Sequence, residues 1–182
     1  MPLPKHVYSA GDYWALPEGV RAELIDGQFW ALAAPSRIHQ KIVIELAHAL
    51  KSHITSQHGS YEVYPAPFAV NLFADETTFV EPDLSVICDR SKLSDRGCEG
   101  APDMVVEVVS PTNPGMDYVS KLALYRDAGV REYWRCDPRS RRTHCYAFES
   151  EGLVEVYDFD EPVPSAVLPG FEASLAAMLA ND

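Results

Sequence analysis

One short run constrains this chain more than any other. Residues 104–109 read Met-Val-Val-Glu-Val-Val, an almost wholly β-branched stretch around a single carboxylate. Such a run predicts a central strand covered on both faces of a sheet. Glu107 stands in its middle, and a lone ionised carboxylate there would cost on the order of several kcal/mol even after relaxation. The fold must therefore bring Glu107 a cation, a hydrogen-bond donor or a metal ion.

The surrounding segments predict how. Residues 78–87 form a first central run, broken at Pro82 and followed by a polar loop over 89–102. Ser110-Pro111 ends the second run. Residues 117–128 have a helical pattern carrying Leu122, Leu124 and Tyr125, stopped by Gly129, and a strand follows over 130–136. Strand, helix and strand in sequence suggest a crossover unit.

Upstream, Ser9 to Leu16 predicts a short helix with Ser9 as N-cap and Asp12 closing an Asp variant of the capping box. Asp26-Gly27 between two apolar arms is a hairpin signal, with Glu23 on the first arm. Pro35-Ser36 opens a long helix whose stripe is Ile38, Ile42, Leu46, Leu50 and Ile54, with Gly59 as its cap. Residues 61–73 are strand-like but bent by Pro65 and Pro67, and Asp75-Glu76 turns the chain. Residues 142–148 and 153–159 predict a hairpin around 150–152, and 171–180 a closing helix. Neither repeats nor linkers divide the sequence, so residues 1–182 are expected to form one domain.

Composition narrows the function. No apolar run is long enough to cross a bilayer, and the N-terminus has neither an apolar signal core nor a basic leader, so a cytoplasmic protein is expected. Cys88, Cys98, Cys136 and Cys145 make no C-x-x-C pair, which predicts reduced structural thiols. The formal charge of −12 argues against tight binding of long nucleic-acid duplexes. Phosphate-binding loops, dinucleotide fingerprints and nucleophile elbows are missing. His48 and His53 are five apart and do not make the two-histidine helical zinc motif.

What remains is an acid at the edge of one strand, Asp83, an acid inside the next, Glu107, and Lys121 on the following helix. That set suits metal-assisted phosphodiester hydrolysis: oxygen ligands for a hard cation and a fixed positive charge beside it. Plain structural readings stand next to it. Asp83 can be a turn residue after Pro82, Lys121 can pair with Asp117 four residues earlier, and Glu23 can be an ordinary acid beside a hairpin turn. Asp103 reads as a residue that starts a strand, and Arg139, Arg141 and Arg142 as a solvated turn.

Five stretches in this order, AELIDGQ, PSRIHQ, VEPDLSVI, GAPDMVVEVVSP and KLALYRDAGVREYW, make the chain resemble the Uma2 family of restriction-endonuclease-like proteins, within the PD-(D/E)XK nuclease superfamily. The resemblance runs from about Tyr13 to the last helix. It implies an α/β (mixed α+β) restriction-endonuclease-like core, a central mixed sheet flanked by helices. It implies a metal-dependent endonuclease in which Asp83 matches the PD aspartate and Glu107 the acid of the (D/E)XK half. Val109 stands where the lysine of the parent pattern would be, and Lys121 is the match on the following helix. Glu23 matches the acid that the superfamily often places near the N-terminus.

Asp83 and Glu107 are then expected to hold Mg²⁺ or Mn²⁺, with Lys121 orienting water or offsetting transition-state charge, and Glu23 adding a ligand or a contact to the lysine. His39 falls in the resembling helix start and reads as a hydrogen-bonded structural residue at the cleft. DNA is the expected substrate and a homodimer the expected assembly. The acidic charge and displaced lysine keep two alternatives open: a nuclease-fold binding or regulatory protein with little catalysis, and a metal-dependent hydrolase of a smaller substrate.

Overall fold

Among the described residues, two six-stranded sheets, a two-stranded sheet and four α-helices surround the Val-rich run. The computed structural model describes residues 6–110, 118–149 and 154–180. In chain order the elements begin with α1 (Ala10–Trp14), β1 (Ala22–Ile25), β2 (Gln28–Ala31), α2 (Arg37–Ser56) and β3 (Glu62–Pro65). Next come β4 (Val70–Asn71), β5 (Phe79–Val80), β6 (Leu84–Ile87), β7 (Leu93–Ser94), β8 (Gly97–Glu99) and β9 (Met104–Val108). The chain ends with α3 (Tyr118–Ala128), β10 (Glu132–Asp137), β11 (Arg142–Ala147), β12 (Val154–Asp158), β13 (Val163–Pro164), β14 (Glu172–Ala173) and α4 (Leu175–Leu179).

The main sheet has the order β12-β11-β10-β9-β6-β3. Strands β9 and β10 run parallel, as a crossover through α3 requires, and the other neighbours are antiparallel. The architecture is thus mixed α+β with a mixed central sheet flanked by helices. Alternation along β9 divides its side chains between two cores. Met104, Val106 and Val108 join Leu84, Val86 and Trp134 under the stripe of α2, where Ile42, Leu46 and Leu50 are fully buried. Each such aliphatic side chain contributes roughly 1.5–3 kcal/mol by leaving water. Val105 faces the other way, with Ile87 and Tyr133, onto Tyr125 of α3 and onto Ile25, Val70 and Val80 of the second sheet. That second sheet, β2-β1-β5-β4-β8-β7, carries the N-terminal hairpin. Glu107 shares the parity of Val105, so it emerges on the α3 side.

Several expectations are corrected. The break expected at Pro82 within residues 78–87 is more than a bend. Pro82 separates β5, which pairs with β1 and β4, from β6, which pairs with β3 and β9, so the chain changes sheets there. Residues 61–73 divide likewise into β3 and β4. The supposed polar loop 89–102 contains a 3-10 turn (Arg90–Lys92) and the β7–β8 hairpin, whose Gly97 has φ 142 and lies against the Ala69 carbonyl. The long helix ends with His58, not Gly59, in the left-handed region (φ 52), while the Gly59 N–H returns to the Ile54 carbonyl at 2.9 Å. The closing helix is only α4, because Glu172 and Ala173 pair with β13 first. Asp117 and the turn 150–152 lie outside the described residues. Among the described residues no helix is long and apolar enough to cross a membrane.

A second buried acid fixes the far side of the sheet. Glu132 is 2% exposed. Its Oε1 accepts from Trp134 Nε1 (2.7 Å) and the Ala166 N–H (3.1 Å), and its Oε2 from Ser165 Oγ (2.7 Å) and the Val167 N–H (2.9 Å). Three of these four donors, from residues 165–167, tether β10 to the C-terminal segment. Glu132→Ala strands those donors, and urea denaturation should show a loss of roughly 3 kcal/mol or more. An unchanged midpoint would mean that the segment docks without the carboxylate.

Candidate active site

The site is assembled where β6 and β9 diverge. Asp83 precedes β6, and its backbone carbonyl accepts from the Ala66 N–H at 3.1 Å. Its Oδ2 accepts the Val108 N–H at 2.7 Å and lies 3.0 Å from Nε2 of His39. His39 sits in the first turn of α2, where the Ser36 hydroxyl caps its N–H at 3.3 Å. Burial alone would lower the His39 pKa, but the hydrogen bond and charge of Asp83, with the charge of Glu107, hold it above its usual 6.5.

Glu107 finds its partners on α3. Lys121 and Tyr125 are four residues apart, hence on one helix face. Lys121 Nζ donates to Glu107 Oε1 at 2.8 Å, and the Tyr125 hydroxyl donates to the same oxygen at 2.6 Å. Lys121 Nζ also donates to Glu23 Oε1 at 3.0 Å, an oxygen that further accepts the Glu81 N–H at 3.2 Å. The named bonds thus fall on one oxygen of each carboxylate.

Burial sets the electrostatics. The side chains of Asp83, Glu107 and Lys121 are 16–17% exposed and that of Glu23 only 3%. Burial, helped by the charges of Asp83 and Glu23 and opposed by Lys121, pushes Glu107 up to about 7. For Lys121 burial works the other way, yet the charges of Glu107 and Glu23 outweigh it and hold its pKa above the usual 10.5. Tyr125 is raised well above 10 by burial and then by the two glutamates, so it remains a donor. Glu23, Glu81, Asp83 and Glu107 share this cavity with Lys121, Arg21, Arg135 and His39.

All four predicted site residues, Asp83, Glu107, Lys121 and Glu23, line one cavity of about 240 Å³, together with His39. Asp103 lies elsewhere: it accepts the Cys88 N–H at 2.7 Å and Arg131 Nη1 at 3.2 Å, clamping strand ends. Sequence reasoning missed Tyr125 as a partner of Glu107, although its i,i+4 spacing from Lys121 was a usable signal. It also missed Arg135, Arg21 and Trp30 on the cavity wall, for which the sequence carries no local sign.

Among the described residues no group of three His, Cys, Asp or Glu side chains is arranged to hold a metal ion. The donors present are Asp83 and Glu107, two carboxylates that line one cavity. That set fits a hard cation which keeps several of its waters, as Mg²⁺ does, and does not fit a closed all-protein cage.

Known proteins with similar sequence or structure agree with this architecture. "Uncharacterized protein slr1290" of Synechocystis sp. (strain ATCC 27184 / PCC 6803 / Kazusa) is 28% identical over 126 residues, 68% of this chain. The match spans only 64% of that relative's length. The crystal structure of "a putative nuclease belonging to DUF820" from Anabaena variabilis ATCC 29413 superposes with a TM-score of 0.73, covering 94% of this chain and 97% of that one at 23% identity. At that identity the likeness speaks for the fold. Residues 10–177 match the family model Uma2, described as "Putative restriction endonuclease", and over that span, nearly its whole length, the chain belongs to the Uma2 family.

Proposed function

We propose that the chain is a divalent-metal-dependent nuclease that hydrolyses phosphodiester bonds of DNA at the cavity between β6, β9 and α3. The observation that carries this reading is the placement of Asp83 and Glu107 on one cavity wall with Lys121 held between Glu107 and Glu23. Asp83 and Glu107 would hold Mg²⁺ or Mn²⁺, which when bound polarises the scissile phosphate and lowers the pKa of a coordinated water.

The remaining roles belong to the chain's own residues. Lys121 keeps its charge in a poorly solvated place, where it offsets negative charge developing on the phosphoryl oxygens. Glu23 and Glu107 fix the position of that ammonium. Tyr125 restrains the Glu107 carboxylate, and His39 with the Val108 N–H restrains rotation of Asp83. The formal charge of −12 favours a variant of this reading in which the substrate is smaller or less densely charged than long duplex DNA.

The test is cleavage of plasmid and single-stranded DNA with Mg²⁺, Mn²⁺ or a chelator, in wild type and Asp83→Asn. The asparagine oxygen can still accept from Val108 and His39, so the fold should survive. We expect cleavage to need the metal and to fall by about 10²–10³-fold in the variant. Cleavage indifferent to both chelator and substitution would overturn the proposal.

A further inference from the structure

Trp30 is an aromatic residue lining this cavity, and none of the site's hydrogen bonds named above involves it. Strand β2 is the outer edge of its sheet. The register of the hairpin sets Trp30 directly opposite Glu23. Residues opposite each other in an antiparallel pair project from the same face. Glu23 projects toward Lys121, so the ring of Trp30 stands on the face that carries the site, and it lines the cavity.

The other tryptophans are already engaged. Trp134 is buried. Trp14 packs edge-on against Tyr13 and Phe79, with the Arg96 guanidinium 5.5 Å above its ring. Trp30 is 39% exposed and has no ring or cation contact among the described residues. A partly exposed aromatic side chain at such a cavity is what base stacking uses.

The neighbours narrow the ligand further. Arg135 pairs in register with Glu107 and lines the same cavity, bringing a cation to the wall that a backbone phosphate would meet. A cavity of about 240 Å³ has room for a group of roughly nucleotide size. The acidic chain repels a duplex more than a single strand, whose charge density is lower.

We infer that Trp30 is a stacking platform for an unpaired nucleobase, and that the nucleic acid accepted at this site is single-stranded. The inference rests on the nuclease reading and names its substrate class. A base stacked on Trp30 would hold the adjoining phosphodiester over Asp83, Glu107 and Lys121, while stacked, paired bases would offer no free face to the indole.

The test is fluorescence anisotropy in Mg²⁺ buffer with a labelled phosphorothioate oligothymidine of about ten nucleotides and with its duplex, a length within the usual single-strand site sizes. The proteins are wild type, Trp30→Ala and Trp30→Phe. The single strand should bind at least about tenfold more tightly than the duplex. Trp30→Ala should weaken single-strand binding by about 5- to 150-fold, Trp30→Phe should keep most of it, and duplex binding should hardly change. The strand should quench indole emission in wild type and not in Trp30→Ala.

Equal affinity of Trp30→Ala and wild type, or tighter binding of duplex, overturns the inference. If metal-dependent, Asp83-dependent cleavage persists beside such a result, the nuclease reading stands and only the stacking role falls. If wild type neither binds nor cleaves any nucleic acid, both fall.

Discussion

Replacing Lys121 with methionine should destabilise the protein by roughly 3–5 kcal/mol at pH 8, the usual range when one partner of a buried pair is removed. Lys121 is the cation shared by Glu107 at 2.8 Å and Glu23 at 3.0 Å. Methionine fills similar volume, so the loss is electrostatic. Both glutamates would then be buried beside each other without that charge, and the Glu107 pKa, already raised by burial, would rise further. A carboxylate with a raised folded pKa weakens the fold above that pKa, and the penalty vanishes as pH falls below the unfolded value. The deficit of Lys121→Met should therefore shrink markedly between pH 8 and pH 5 in urea denaturation. A pH-independent deficit would show that Lys121 matters for packing alone.

The sequence made local features legible and left long-range ones hidden. The helix of α2 was readable because its apolar stripe repeats at helical spacing, and the hairpin because Asp26 and Gly27 adopt positive φ (48 and 68), as that dipeptide favours. Membership of the two sheets was not readable. Phe79 pairs with Leu24 and Leu84 with Val106, and no pattern inside 78–87 encodes which partner each half will find.

The candidate site divides in the same way. Glu107 was visible because a carboxylate inside a valine run demands a partner, and Lys121 because it lies on the next helix. The bonds of His39 to Asp83 and of Tyr125 to Glu107 are tertiary, made between residues that are unremarkable in their own segments. Glu132 is the instructive miss. Like Glu107 it is a strand acid, but beyond Trp134, two residues away, its donors come from residues 165–167 at the far end of the chain.

Glu107→Gln should separate catalysis from folding most cleanly. Glutamine keeps the volume and an oxygen able to accept from both Lys121 and Tyr125, so the local structure should persist. In the metal-free wild type, Glu107 has a folded pKa of about 7 against an ordinary 4.5. That difference means the ionised form weakens the fold above pH 7, a penalty relieved as pH falls toward 4.5. The amide has no such penalty. Metal-free Glu107→Gln should thus be more stable than wild type at pH 8, with the gap closing near pH 4.5. A metal ion would invert the order, since it stabilises the ionised carboxylate and displaces its proton below pH 7. At a hundredfold excess over Kd, Mg²⁺ should add about 2.7 kcal/mol to wild type and little to the variant. Cleavage should fall by about 10³-fold or more, because the variant lacks a charged oxygen ligand. Thermal melts with and without Mg²⁺ at both pH values, run beside the cleavage assay, read all of these effects. If Glu107→Gln kept the metal-induced rise in Tm and the cleavage rate of wild type, the metal would lie elsewhere, and Glu107 would be a buried acid held only for structure.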